Sequence, residues 1–228
     1  MHEGHRDRVK KRFRQEGLDH FSDIQALELL LFYGIPRVDT NPIAHALLDH
    51  FGSLSQVLEA SPEELMKVPG VGENAALLLA LIPQMGRFYM VDRSSRVTIL
   101  QTLEQCADFL VPHFFGRKVE TVFILCLDAK CKLLCCKELG EGGPNSTGVS
   151  IRKIVETAIG VNAATVVLAH NHPSGLAVPS AEDIQTTRRI AHALQAVEIT
   201  LADHIIVADG DYVSIAMSDD RFRDCLLI

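Results

Sequence analysis

"ATVVLAHNHPSGLAVPSAED", residues 164–183, opens as a short apolar run and closes as the start of a helix. From Thr165 to Ala169 it is apolar and β-branched, the pattern of a strand buried on both faces. Pro173 and Gly175 break that strand and turn the chain. Ser180 and Asp183 then mark a helix N-terminus: the serine can accept from first-turn amides, and the carboxylate suits the positive end of the helix dipole. His170 and His172 stand two apart where the strand ends. Alternate strand residues share a face, so both imidazoles can point at one ion. Asp183, ten residues after Pro173, adds a hard carboxylate. Two imidazoles and one carboxylate suit zinc and leave a fourth position open for water. Iron and manganese accept the same ligand types. A plainer reading exists for each part, because H-x-H arises by chance and Ser180 with Asp183 makes a sufficient cap. The string as a whole points to one zinc per chain, held by His170, His172 and Asp183 and used for hydrolysis.

Working outward, the flanking segments extend the same pattern. "ETVFILCLD" (120–128) reads as a buried strand and "CKLLCCKEL" (131–139) as its antiparallel partner. "LQTLEQCADFLVPHF" (100–114), "VSIRKIVETAIG" (149–160) and "SAEDIQTTRRIAHALQAV" (180–197) have helical spacing. "DHIIVADGDYVSIAM" (203–217) reads as two strands joined around Asp209-Gly210, a hairpin signal. Helices interleaved with adjacent strands predict an α/β or α+β domain with a mostly antiparallel sheet over residues 98–228. The first part of the chain, 1–92, reads as all-helical. "IQALELLLFYGI" (24–35) and "IAHALLDHF" (43–51) carry dense apolar spacing, with Gly52 placed as a C-cap. Ser61-Pro62-Glu63-Glu64 signals an N-cap with proline at the first helical position. The glycine turn "VPGVGE" (68–73) precedes a further apolar helix. Asp92–Arg96, "DRSSR", is the predicted linker between the two domains.

The 228 residues allow two ordinary domains, each long enough to bury a core. A formal charge of −7 argues against nonspecific DNA binding by the whole surface. No apolar run reaches the roughly 18 residues needed to span a bilayer, and the charged segment from His2 to Arg14 is unlike a secretory leader. A cytoplasmic location is expected, in which the six cysteines stay reduced. Cys126, Cys131, Cys135 and Cys136 lack zinc-ribbon spacing and read as buried structural thiols.

The string H-N-H-P-S-G-x-x-x-P-S-x-x-D, carried by His170, His172, Pro173, Ser180 and Asp183, resembles the JAMM (MPN+) metalloprotease signature in the form found in the RadC family. The resemblance covers nearly the whole chain, the N-terminal helices included. It implies a JAMM/cytidine-deaminase-like mixed sheet with flanking helices, preceded by a small all-α domain. It also implies a catalytic glutamate at the start of a strand after a helix, a context that Glu120 matches. Glu138 and Glu141 are placed at or beyond a strand end in a glycine-rich loop, and Glu156 within a helix. The activity implied is hydrolysis of peptide or isopeptide bonds. Glu120 would carry the proton of the attacking water, and Ser180 would donate to the tetrahedral oxyanion. The protein substrate is not legible. Resemblance also makes Asp203-His204 a regular feature, either orienting a ligand or forming a core polar pair, with the core pair preferred. His192 falls on a solvated helix face.

"LMKVPGVGENAALLLAL" (65–81) resembles a helix-hairpin-helix, a module that grips DNA phosphates. Gly70 and Gly72 would let the turn present its amides at the next helix N-terminus, with Lys67 beside it. Arg6 to Arg14 holds six basic residues against the single acidic Asp7. Over residues 1–94, however, ten Lys and Arg face thirteen Asp and Glu, a net of −3. The competing function is therefore a DNA-associated repair or recombination accessory protein whose catalysis is dispensable.

Overall fold

The computed structural model describes residues 3–94, 99–142 and 149–218. The chain divides into two compact units, with the boundary between Gly86 and Arg87.

The first unit is helical. Its elements are α1 (Glu3–Glu16), α2 (Asp23–Gly34), α3 (Asn41–Phe51), α4 (Leu54–Glu59), α5 (Pro62–Leu65) and the start of α6 (Glu73–Ser94). Local chemistry sets the boundaries. Ser22 and Ser61 close capping boxes with Gln25 and Glu64, and Pro62 occupies the first helical turn. Gly52 ends α3 at φ 90°. Leu27, Leu31, Leu47, Leu65 and Leu79 are fully buried in one shared core. Two of the basic residues of α1, Arg6 and Arg12, serve this packing. The Arg6 guanidinium donates to the carbonyls of Ile35 (2.8 Å) and Val38 and lies over the Phe32 ring. Arg12 donates to His20 O (2.6 Å) and to Gln25 Oε1 (3.2 Å). The expected linker is corrected in part. Asp92, Arg93 and Ser94 continue α6, which runs on through Pro83, whereas Ser95 and Arg96 lie outside the described residues.

The second unit is a five-stranded sheet in the order β2-β1-β3-β4-β5, comprising β1 (Thr121–Leu127), β2 (Leu133–Glu141), β3 (Thr165–Asn171), β4 (Thr200–Ala208) and β5 (Asp211–Ser214). Every neighbouring pair is antiparallel except β3 with β4. That exception follows from connectivity, since a parallel pair needs a crossover, and α9 (Ala181–Gln195) joins β3 to β4. Asp209 and Gly210 both have positive φ, 48° and 82°, as a two-residue hairpin between β4 and β5 requires.

Alternation along the strands builds two cores. On one face Val122, Ile124, Val166, Leu168 and Ile206 pack with Ile154 of α8 (Ile151–Gly160), Ile190 and Leu194 of α9, and Ile215 of α10 (Ile215–Ser218). On the other face Phe123, Leu125, Val167 and Ile205 pack with Cys106, Phe109 and Leu110 of α7 (Leu103–Leu110) and with Phe114 of the following 3₁₀ turn. β1 and β3 are thus covered on both sides, which explains their unbroken apolar runs.

Two expectations change here. Glu138 lies within β2, which runs past Gly140 and pairs with β1 as far as Thr121 opposite Glu141, so Glu141 stands at the strand end as expected. Among the cysteines read as buried, Cys126 is buried but Cys131, Cys135 and Cys136 are only half-buried. Burial pushes the Cys136 thiol up to about 12, so it stays protonated and poorly nucleophilic near neutral pH.

Candidate metal centre

β3 is the middle strand, and its last turn of pleat carries the site. His170 is completely buried, on the same face as Leu168. His172 lies just past the strand, where its amide still donates to Val207 O (2.8 Å) and extends the ladder to β4. The two imidazoles converge, with Nε2 of His170 3.0 Å from Nε2 of His172. Asp183 approaches from the first turn of α9. Its Oδ1 lies 3.2 Å from His170 Nε2 and its Oδ2 3.6 Å from His172 Nε2.

A capping box aims that carboxylate. The Ser180 amide and hydroxyl both donate to Asp183 Oδ2, at 2.8 and 2.6 Å, and the Asp183 amide donates to Ser180 Oγ at 3.1 Å. Capping and site-building are therefore one arrangement, not rival readings of the same residues. Burial alone would raise the Asp183 pKa, but the adjacent His170 ring and the hydrogen bonds donated by Ser180 outweigh it and hold the carboxyl well below the usual range.

Glu120 stands immediately before β1, about one-third exposed, with Oε1 3.6 Å from His170 Nε2. Its backbone is held on both sides: Gly142 N donates to Glu120 O (2.7 Å), and Thr121 N donates to Asn171 Oδ1 (2.8 Å). The other glutamates are engaged elsewhere. Glu138 receives Arg117 (2.8 Å) and Glu156 receives Arg152 (2.7 Å).

Among the described residues, four candidate donors converge here. One ligand atom each from Glu120, His170 and His172 lies within 4.8 Å of the others, and Asp183 is at least as near to both imidazoles. Zinc bonds of about 2.0–2.1 Å in a tetrahedron place neighbouring ligand atoms roughly 3.3 Å apart. The two imidazole nitrogens, 3.0 Å apart, lie close to that spacing, and the Asp183 carboxylate flanks both, with Oδ1 3.2 Å from His170 and Oδ2 3.6 Å from His172. His172 Nδ1 lies 3.1 Å from Leu176 O, which can only accept, so this ring's proton sits on Nδ1 and its Nε2 lone pair faces inward. The turn that supplies this carbonyl passes through Gly175 at φ 83°, where a Cβ would come within 2.8 Å of Asp209 Oδ2. A divalent cation fits these donors.

Two groups escaped the sequence reading. Asn171, between the histidines, points to the opposite face; it accepts from Thr121 N and donates to Val119 O (3.2 Å), fixing the strand start that carries Glu120. Thr187, one helical turn after Asp183, touches His204. The i, i+4 spacing from Asp183 was the available signal for it. Asp203 and His204 are both fully buried, as the preferred core pair requires, but their side chains part. As neighbours on β4 the two side chains take opposite faces; Asp203 Oδ1 accepts from the amides of His204 (2.7 Å) and Ala216 (3.0 Å), whereas His204 Nε2 sits 2.8 Å from His170 Nδ1. Burial first, and then nearby His170, lowers the His204 pKa well below that of an ordinary imidazole, so the ring is neutral. His192 is exposed, as expected.

In the N-terminal unit, Lys67, Gly70 and Gly72 are exposed around the turn into α6. Gly70 has φ 90°, and a Cβ there would meet Ile43 Cδ1 at 2.9 Å, so tight packing on α3 accounts for this glycine.

A mixed sheet that offers two histidines from its central strand and a carboxylate from the next helix defines a JAB-type domain with a candidate metal site. The comparisons agree: residues 100–220 match the RadC-like JAB domain and residues 3–77 the UPF0758 N-terminal domain. The chain belongs to the RadC family. Among its relatives, a UPF0758 protein of Fusobacterium nucleatum is 33% identical over 219 residues, covering 93% of this chain and 94% of that protein. A UPF0758 protein of Paraburkholderia xenovorans is 32% identical over 210 residues, covering 92% and 83% respectively. Among the described residues, no helix is long and apolar enough to cross a membrane.

Proposed function

We propose that this protein is a zinc-dependent metallohydrolase that cleaves peptide or isopeptide bonds. The observation that carries the reading is the convergence of His170, His172 and Asp183: the two imidazole nitrogens lie 3.0 Å apart, with one carboxylate oxygen 3.2 Å from His170 and the other 3.6 Å from His172. These three residues would hold one zinc per chain. When bound, zinc supplies Lewis-acid polarisation of a carbonyl and makes water acidic enough to ionise near neutral pH.

The chain's own residues do the rest. Glu120, partly exposed and 3.6 Å from His170 Nε2, is placed to accept the proton of the attacking water and return it to the leaving amine. Ser180 would donate to the oxyanion by turning its hydroxyl away from Asp183 Oδ2, its present acceptor. Such a donor contributes about 2.7–4 kcal/mol in comparable sites.

The test is zinc per chain by plasma mass spectrometry after zinc addition and desalting. We expect about one equivalent in the wild type and essentially none in His170→Ala or Asp183→Ala. Folded wild-type protein that retains no zinc would end the hydrolase reading.

A second reading, DNA contact by the N-terminal unit, is supported by the exposure of Lys67 and of the Gly70–Gly72 turn at the start of α6. Against it, Arg6 and Arg12 are spent on intramolecular contacts, and Glu73 occupies the first turn of α6. A short duplex in fluorescence anisotropy decides the matter. Salt-sensitive binding weakened in Lys67→Ala supports phosphate contact, and no binding at low salt eliminates it.

A further inference from the structure

We propose that Thr187 and His204 are positioning residues that fix His170 as its Nδ1–H tautomer and so aim its Nε2 lone pair at the metal. The purpose of this arrangement rests on the zinc reading above, but its geometry stands independently. Three contacts form a chain. Thr187 Oγ1 is 2.6 Å from Asp183 O, the same Oγ1 is 2.6 Å from His204 Nδ1, and His204 Nε2 is 2.8 Å from His170 Nδ1. Thr187, His204 and His170 are all fully buried, so water does not compete for these bonds.

The direction of the protons follows from the first contact. A carbonyl has no proton, so at 2.6 Å the Thr187 hydroxyl must donate to Asp183 O. The hydroxyl then has only lone pairs for His204, which must carry its proton on Nδ1. Completely buried between Thr187 and His170, where a charged ring would be stripped of water, His204 keeps this one ring proton; its Nε2 then offers a lone pair, and His170 must donate from Nδ1. The His170 Nε2 is left as an acceptor facing two more, His172 Nε2 at 3.0 Å and Asp183 Oδ1 at 3.2 Å, a cluster of lone pairs that a cation between them would satisfy. The opposite arrangement, with His170 donating from Nε2 to Asp183 Oδ1, would turn Thr187 toward His204 and set its oxygen against a carbonyl oxygen at 2.6 Å with no proton between them. Ligating histidines generally have their other nitrogen held in this manner, and loss of the holding group costs metal affinity about 10–100-fold. Here the holder is another imidazole, oriented in turn by the helix that carries Asp183. Because Thr187 lies four residues after Asp183, one face of α9 presents both the carboxylate to the ion and the hydroxyl to His204.

The experiment combines two measurements on the full chain. Long-range proton–nitrogen correlation spectra of the metal-free wild type report the tautomers without any variant. We expect His204 and His170 both to carry Nδ1–H. Zinc affinity by competition with a chromogenic chelator should weaken about 10–100-fold in Thr187→Val and stay close to wild type in Thr187→Ser, which keeps the hydroxyl. An Nε2–H tautomer at His204 or His170 in the wild type, or a Thr187→Val protein that binds zinc as tightly as wild type, overturns the proposal. Wild type with the expected tautomers but no zinc affinity overturns the metal reading and leaves the proton chain standing.

Discussion

Glu120→Gln should lower the rate of hydrolysis by about 10²–10⁴-fold while leaving about one zinc per chain. The substitution keeps size and hydrogen-bonding capacity but removes the basic oxygen 3.6 Å from His170 Nε2. The backbone anchors at Gly142 N and Asn171 Oδ1 do not depend on the side chain, so the strand start should not move. Turnover of a mixed-sequence fluorogenic peptide pool and zinc content on the same samples are the two readouts. Together they separate the carboxylates that compete for the third ligand position. Glu120 clusters with His170 and His172 as closely as a ligand would, so a variant that lost zinc together with activity would make Glu120 a ligand. Unchanged turnover would remove Glu120 from the chemistry.

Leu168→Ala should destabilise the protein by about 2–5 kcal/mol, the range for a buried leucine cut back to its Cβ. Leu168 is fully buried on the middle strand and packs in the same cluster as Ile154, Ile190 and Ile206. With β1 and β4 paired on either side of β3, the backbone has little freedom to close the cavity. For a chain of this size the loss corresponds to a fall in Tm of roughly 5–15 °C, measured by circular dichroism on metal-free protein. A change below about 1 kcal/mol would contradict the placement of this residue at the centre of a close-packed layer. Leu168 is two residues from His170 on the same face, so the same cavity tests how far the imidazole depends on the layer beneath it.

The sequence alone determined the elements and the donor set. Apolar runs at 121–127 and 165–169, the hairpin at Asp209-Gly210 and the serine caps of the helices are local effects, and they appear where local rules place them. His170, His172 and Asp183 were legible as candidate donors, because a strand end and a helix first turn advertise themselves in residue type, whereas Glu120 was named by the family resemblance. Their convergence was carried by spacing and by family resemblance. What only the tertiary structure decided is how strands far apart in the chain meet. Pairing of β3 with β4 brings His204 to His170 across 34 positions, and no periodicity encodes that register. The packing of α9 over the sheet then sets Thr187 against His204, and the pairing of β1 with β3 sets Asn171 against Thr121. The same limit explains the misjudged ends of β2 and α6. A strand stops where its partner stops and a helix can run on through a proline such as Pro83, so those boundaries belong to the assembled fold, while the ligand types belong to the chain.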